Sequence, residues 1–418
     1  MRSNSLALAL AVTLLASPPA HAQSERADAA HAAPSPSARS VDSLRAEGFD
    51  ALYSIDYTRA GKAFDEIVRL TPERPEGYLF RATNTWLKSL FDSRLLSLSL
   101  YSNDEFYAQK EKTVDPAVDK SFRADIQKAV EKAEAILAKN PNDLEALYYL
   151  GAAHGSLGGY EATMARAFFS ALKHGSKSVD LHEKVLKLDP KFADAYLTVG
   201  MYHYVVGSLP FFVKALASVG GVRGSKKQGL QELERVAREG RRTADDARVI
   251  LVGLYAREKR YEDALAMVRE LAAKYPDNYL LPLEEANTLV RLGKLDEAYG
   301  VYDRLLAHPR AKAEAKDFVA YSYGEALMLG GRYERAVEQY TAVWTFKGAD
   351  GDLVTLARLG AGQSQDALGK RKEAVAHYKI VSQRPDVLDS RKKAARYAKE
   401  PYSPSSPIAS TGQQLSAS

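Results

Sequence analysis

RYEDALAMVRELAAKYPDN, from Arg260 to Asn278, carries the pattern from which the rest of the chain is read. Its apolar residues recur three and four positions apart, as on one face of a helix, and Tyr275-Pro276-Asp277-Asn278 ends the run. On the C-terminal side the pattern returns as KLDEAYGVYDRLLAHP from Lys294, RYERAVEQYTAVW from Arg332 and KRKEAVAHYKIV from Lys370. Every copy opens on a basic residue, places alanine four positions later, and places a larger side chain four positions after that. The alanines are Ala264, Ala298, Ala336 and Ala374, spaced 34, 38 and 38 residues apart, and their partners are Val268, Tyr302, Tyr340 and Tyr378. A small residue lets two antiparallel helices approach closely, and the side chain one turn on fills the groove beside it. Upstream of each copy lies a further helical segment: ARVILVGLYA near Arg248, LEEANTLVRLG near Leu283, VAYSYGEALMLG near Val319 and LARLGAGQSQDALG near Leu356.

These residues resemble the tetratricopeptide repeat (TPR) family, whose period is roughly 34 residues. The resemblance implies an all-α, TPR-like α-solenoid, a right-handed superhelix of antiparallel helix pairs with about eight units. More degenerate copies precede the clear ones. Asp56-Tyr57, Ala60, Phe64 and Pro72 close a first, and Ala129, Ala133, Ile136 and Pro141 a second. Leu147, Leu150 and Gly151 open a third that ends at Leu188-Asp189-Pro190, with its second helix expected from Tyr160 to Leu188, and Tyr196, Val199 and Gly200 open a fourth. Residues 40–240 are therefore expected to hold degenerate repeats interrupted at 91–120 and 207–224, and residues 241–400 regular ones. Within the second interruption, Gly207-Ser208-Leu209-Pro210, an apolar stretch to Val219, Gly220-Gly221-Val222-Arg223-Gly224 and Gly229-Leu230 resemble a segment of the eukaryotic inclusion-body-clearance and tetratricopeptide repeat domain 39 group. In that cytosolic group the resemblance implies a link to lipid droplets or protein inclusions.

The two ends read differently. Arg2, the apolar run Leu6–Ala16, Ser17-Pro18-Pro19 and Ala20-His21-Ala22 follow the order of a secretory signal peptide over residues 1–22, with an uncleaved anchor helix as the alternative. The run is shorter than the roughly 20 residues a spanning helix needs. A periplasmic location is expected, with secretion as the other destination. Residues 23–39 and 401–418, rich in Ala, Ser and Pro, are expected to be a flexible leader and a disordered tail. The chain has no cysteine, which excludes a disulfide framework and thiolate metal sites. Lys+Arg total 58 against Asp+Glu 53, a balance that does not point to nucleic acid. The basic excess gathers at Lys370-Arg371-Lys372 and Arg391-Lys392-Lys393-Ala394-Ala395-Arg396.

No nucleophile with its base, carboxylate pair or phosphate loop emerges, so neither catalytic residues nor a cofactor are expected. Gly220-Gly221-Val222-Arg223-Gly224-Ser225-Lys226-Lys227 lacks the G-x-x-x-x-G-K-[ST] order and is read as a corner before a helix from about Ser225 to Arg238. His154 and His203 stand three residues after Gly151 and Gly200 in adjacent repeats; they read either as core residues or as a metal pair, the first reading being preferred. Carrying the TPR groove over repeat by repeat gives Tyr148, Met201, Tyr204, Arg257, Asn287, Arg291, Tyr321, Glu325 and Gln363 as candidate partner contacts. Leu209, Phe211 and Phe212 are candidate contacts from the insertion, with packing as core the competing reading. The expected function is a non-catalytic exported scaffold for a protein or peptide partner in cell-envelope assembly or maintenance. The alternative is peripheral lipid association through residues 209–219 and the basic C-terminal helices.

Overall fold

The computed structural model describes residues 40–96, 114–208 and 224–404. Residues 1–39, expected to be a signal peptide and leader, the central parts of both expected insertions with Leu209, Phe211 and Phe212, and residues 405–418 lie outside the described residues. Among the described residues every regular element is helical. In the first half these are α1 (Val41–Tyr53), α2 (Tyr57–Leu70), α3 (Glu76–Asp92), α4 (Pro116–Leu137), α5 (Leu144–Tyr160), α6 (Phe168–Leu188), α7 (Tyr196–Ser208), α8 (Lys226–Glu239) and α9 (Ala244–Arg257). In the second they are α10 (Tyr261–Lys274), α11 (Leu280–Arg291), α12 (Leu295–Ala307), α13 (Pro309–Glu314), α14 (Lys316–Leu329), α15 (Tyr333–Thr345), α16 (Gly351–Ala367), α17 (Arg371–Ser382) and α18 (Ser390–Lys399). They form two compact units, one ending at Lys259 and the other starting at Arg260, so α9 belongs with the first.

Within the first unit, α1/α2, α3/α4, α5/α6 and α7/α8 are packed pairs, and each second helix also packs on the first helix of the next pair. The second unit repeats this arrangement with α11/α12, α14/α15 and α16/α17, preceded by α10 and closed by α18. The result is the all-α, TPR-like stack of helix pairs that the period implies.

The Gly-Lys and Gly-Arg punctuation has a definite mechanical role. Gly293, Gly331 and Gly369 adopt φ of +73°, +70° and +72°. This left-handed step lets the next N–H reach back into the preceding helix: Lys294 to the Leu289 carbonyl at 2.9 Å, Arg332 to Leu327 at 2.8 Å and Lys370 to Gln365 at 2.8 Å. The same three basic residues are the N-caps of α12, α15 and α17, so each turn ends one helix and begins its antiparallel partner. Where a longer connection is needed, a side chain caps instead, as when Asp143 accepts from the Ala146 N–H at 2.9 Å and Asp350 from Leu353 at 3.0 Å.

Helices cross where small residues meet. Ala264, Ala298, Ala336 and Ala374 are completely buried, as are Val268, Tyr340 and Tyr378. Tyr340 is wedged between two first helices: a Cβ built on Gly324 of α14 would lie 2.6 Å from its ring, and one on Gly360 of α16 only 2.5 Å. The first unit uses the same register with other side chains. Ala60 is followed by Phe64, which joins Phe49 and Phe80 in an aromatic cluster with centroids 4.9–5.5 Å apart. Ser178 is followed by His182, which fills the aromatic slot of the third pair.

The third repeat departs from the expected continuous helix over Tyr160–Leu188. α5 runs through Tyr160 and widens into a π-helical turn at Glu161–Ala165; the chain breaks at Arg166 with φ +56°, and α6 starts at Phe168. Long-range packing sets this break. The Trp86 indole N–H donates to Thr163 Oγ1 at 2.9 Å, Thr163 donates to the Gly159 carbonyl at 2.8 Å, and the Trp86 ring occupies the space beside Gly159.

Substitution at the crossings separates packing from propensity. Gly360→Ala should lower stability by about 1–2 kcal/mol, because overpacking against Tyr340 outweighs the helical gain. Gly253→Ala in α9, where a Cβ meets nothing within 4 Å, should raise it by up to about 1 kcal/mol. Urea denaturation of the two variants checks the opposite signs.

Candidate functional site

Of the candidate groove residues in the first unit, three are core. Tyr148 is completely buried, Met201 is 3% exposed and Tyr204 is 1% exposed. Tyr148 packs against Tyr149, His182 and Phe192 with centroids 5.1–5.4 Å apart. Tyr204 donates to Glu258 at 2.7 Å, and the same Glu258 oxygen takes Lys226 at 2.7 Å. The expectation that these side chains face an open groove is corrected: α5 is buried on nearly every side from Ala146 to Ser156, so it has no free face to offer. Arg257, at the end of α9, is partly exposed.

The two histidines read as core or as a metal pair have separate partners. His154 Nδ1 lies 3.3 Å from His174 Nδ1, and His203 Nδ1 lies 2.6 Å from Glu232 Oε2. Burial pushes His154 down to about 4. Among the described residues no group of three or more His, Cys, Asp or Glu side chains is arranged to hold a metal ion. His182, which the pattern did not single out as a packing residue, donates Nε2–H to the Tyr148 carbonyl at 3.1 Å and is held neutral by burial.

The second unit is different. Its first helices α11, α14 and α16 adjoin in order, followed by α18. Asn287, Arg291, Tyr321 and Gln363 are partly exposed on them, and Glu325 is exposed. Behind this row stand the slot tyrosines of the second helices, whose hydroxyls need acceptors. Tyr302 donates to Asn287 Oδ1 at 2.8 Å, Tyr340 to Glu325 and Tyr378 to Asp366 Oδ2 at 2.8 Å. Each acceptor belongs to the first helix of the same pair. The Tyr340–Glu325 bond and the exposed oxygen of that carboxylate therefore serve packing and surface at once.

Two carboxylates on this row have no ion-pair partner among the described residues, Glu284 and Glu325. Glu284 is 6% exposed, and burial raises it from 4.5 to about 7, with Arg291 and then Asn287 pulling the other way. Burial among the neighbouring helices also raises Glu325, opposed by Tyr340 and Lys393 of α18. Water reaches Glu325 along its exposed edge, which limits that rise. Arg291 likewise forms no ion pair, leaving an amide, a guanidinium and a carboxylate available on successive first helices. Glu284 and Asp366 escaped the sequence reading, and Lys393 entered it only as part of the basic excess. The repeat register held a usable signal, since a buried tyrosine hydroxyl requires an acceptor on the facing helix.

Comparison with known families places this geometry. The model described as tetratricopeptide repeat matches residues 255–320. Over that span the chain is similar to tetratricopeptide repeats. The model described as regulator of microtubule dynamics protein 1-3 matches residues 107–280, extending across the segment that resembles the inclusion-body-clearance group. Among curated proteins none matches the chain. Of solved structures, yeast Tom70 is similar at 14% identity over 85% of this chain and 88% of that one, with a TM-score of 0.37. Pseudomonas aeruginosa pilF is 17% identical over 62% of this chain and 100% of that one, with a TM-score of 0.37. The TPR protein YrrB, described as having an unusual peptide-binding site, is 14% identical over 65% and 99%, with a TM-score of 0.31.

Glu284 gives a pH signature with a defined sign. The unfolded chain releases this proton near 4.5 and the folded chain near 7, so ionisation favours unfolding increasingly between those values and by a constant amount above them. Glu284→Gln should therefore melt higher than the parent at pH 8, by up to about 3 kcal/mol at 1.36 kcal/mol per pKa unit, and the advantage should vanish by pH 4.5. Thermal melts of both proteins at the two pH values check this, with the histidine contributions cancelling in the comparison.

Proposed function

We propose that this protein is a non-catalytic exported TPR scaffold that binds an extended peptide or a protein partner on the first-helix face of its second unit. The observation that carries this reading is the row Asn287, Arg291, Glu325 and Gln363, polar groups left partly or fully open on successive first helices. Amide and guanidinium groups can bond a peptide main chain, and the partly exposed Tyr321 ring adds contact area. The signal-like residues 1–22 support the export part of this reading, and a role in cell-envelope assembly or maintenance is proposed with it. The first unit, with α5 buried nearly all round, offers fewer open first-helix positions.

A second reading has one observation in its favour. α18 exposes Arg391, Lys392, Lys393, Arg396 and Lys399, a basic surface suited to anionic headgroups. Among the described residues no helix is long and apolar enough to cross a membrane, so such contact would be peripheral. The mature chain floating with anionic liposomes at low salt supports this reading, and absence from the liposome fraction removes it.

For the scaffold, a photo-crosslinking residue at Gln363 in the tagged full-length chain should capture a dominant partner in cells. Arg291→Glu should reduce that capture at least about tenfold, equivalent to about 1.4 kcal/mol, with helicity unchanged by circular dichroism. Equal capture by the parent and the variant rules out this face.

A further inference from the structure

After Lys399 the chain does not simply leave the stack. Glu400 turns to an extended conformation, and Pro401-Tyr402-Ser403-Pro404 returns toward the first helices. The Tyr402 main-chain N–H donates to Asp366 Oδ2 at 2.8 Å. That carboxylate is fully buried and also accepts from Arg371 at 2.9 and 3.0 Å and from the Tyr378 hydroxyl at 2.8 Å. Arg371 in turn donates to the Ala398 carbonyl at 2.9 Å, fixing where the segment begins. The Tyr402 ring meets Tyr397 edge-on at 5.3 Å. Its hydroxyl is raised first by burial and then by Tyr397, Tyr333 and Glu325. Tyr340, whose hydroxyl Glu325 accepts, feels Tyr402 as well.

This is how a first-helix face holds a short extended peptide: a main-chain N–H on a fixed acidic acceptor of α16, with the neighbouring ring packed on an aromatic side chain of the capping helix. Proline on either side of Tyr402-Ser403 keeps the segment extended and removes N–H groups that would need partners. We propose that Pro401–Pro404 is a built-in occupant of the second unit's recognition face, and that the external partner is an extended tyrosine- and proline-bearing peptide that must displace it. The proposal rests on the scaffold reading above and adds two things to it: the chemistry of the partner and an internal competitor.

The test uses the full-length chain and its Tyr402→Ala variant, with a fluorescein-labelled peptide of residues 399–410 as the probe and anisotropy as the readout. The variant, with its own tyrosine removed, should bind the probe at least ten times more tightly than the parent. A probe carrying Tyr402→Ala should bind neither, and because this change is in the peptide it cannot be confused with misfolding. Equal affinity for parent and variant, no binding to either, or indifference to the tyrosine in the probe overturns the proposal. Crosslinking from Gln363 in both chains keeps this result apart from the scaffold reading. Partner capture that Tyr402→Ala leaves unchanged overturns the competitor while the scaffold stands. Probe binding without any captured partner upholds the peptide site and defeats the wider scaffold role.

Discussion

The close crossing of each second helix on its first helix is the constraint on which this structure depends. A small residue, alanine in five of the seven pairs and serine or glycine in the others, brings the two backbones together. The residue four positions later must then fill one specific volume. Where that volume is shared with a neighbouring pair, as for Tyr340 between Gly324 and Gly360, the same ring couples successive units. Stability in such a stack is a sum of pair and interface terms, so these crossings set it repeat by repeat.

The chemistry of the filling residue decides what the outer face becomes. In the first unit it is Phe64, Ala133, His182 and Leu233, none of which sends a hydroxyl through to the first helix. In the second unit it is Tyr302, Tyr340 and Tyr378, and each hydroxyl must be satisfied when buried. The acceptors Asn287, Glu325 and Asp366 are placed on the first helices for that reason. A polar first-helix surface is thus a by-product of tyrosine in the core, and it forms in the second unit and not around α5 or α7.

The same logic separates what the sequence alone could disclose from what it could not. The alanine register, the glycine turns and the helix caps act within a few residues, and they are legible as a period. The break after Tyr160 depends on Trp86, whose partner Thr163 is 77 positions away, so no local pattern announces it. The burial of Tyr148, Met201 and Tyr204 depends on which neighbours surround α5 and α7, and a groove pattern carried over by analogy has no access to that. His182 was hidden for a different reason. Histidine in an aromatic slot looks like chemistry until Ser178, four residues before it, is recognised as the small member of the pair. In the second unit Asn287, Arg291, Tyr321 and Gln363 are partly exposed and Glu325 is exposed, while their contact with a partner remains the proposal.

The end of the stack combines two demands. The last pair leaves an apolar side that solvent cannot be allowed to reach, and α18 covers it with Ala394, Tyr397 and Ala398 while turning Arg391, Lys392 and Arg396 outward. A capping helix of only ten residues is weakly held by itself, and tethers at its C-terminal end compensate. Arg371 grips Ala398, and Asp366 grips Tyr402. Asp366 is also the acceptor that the slot residue Tyr378 requires. One buried carboxylate therefore satisfies the last crossing, anchors the cap and seats the returning segment, and whatever displaces Tyr402 from it acts on the closing helix of the stack as well.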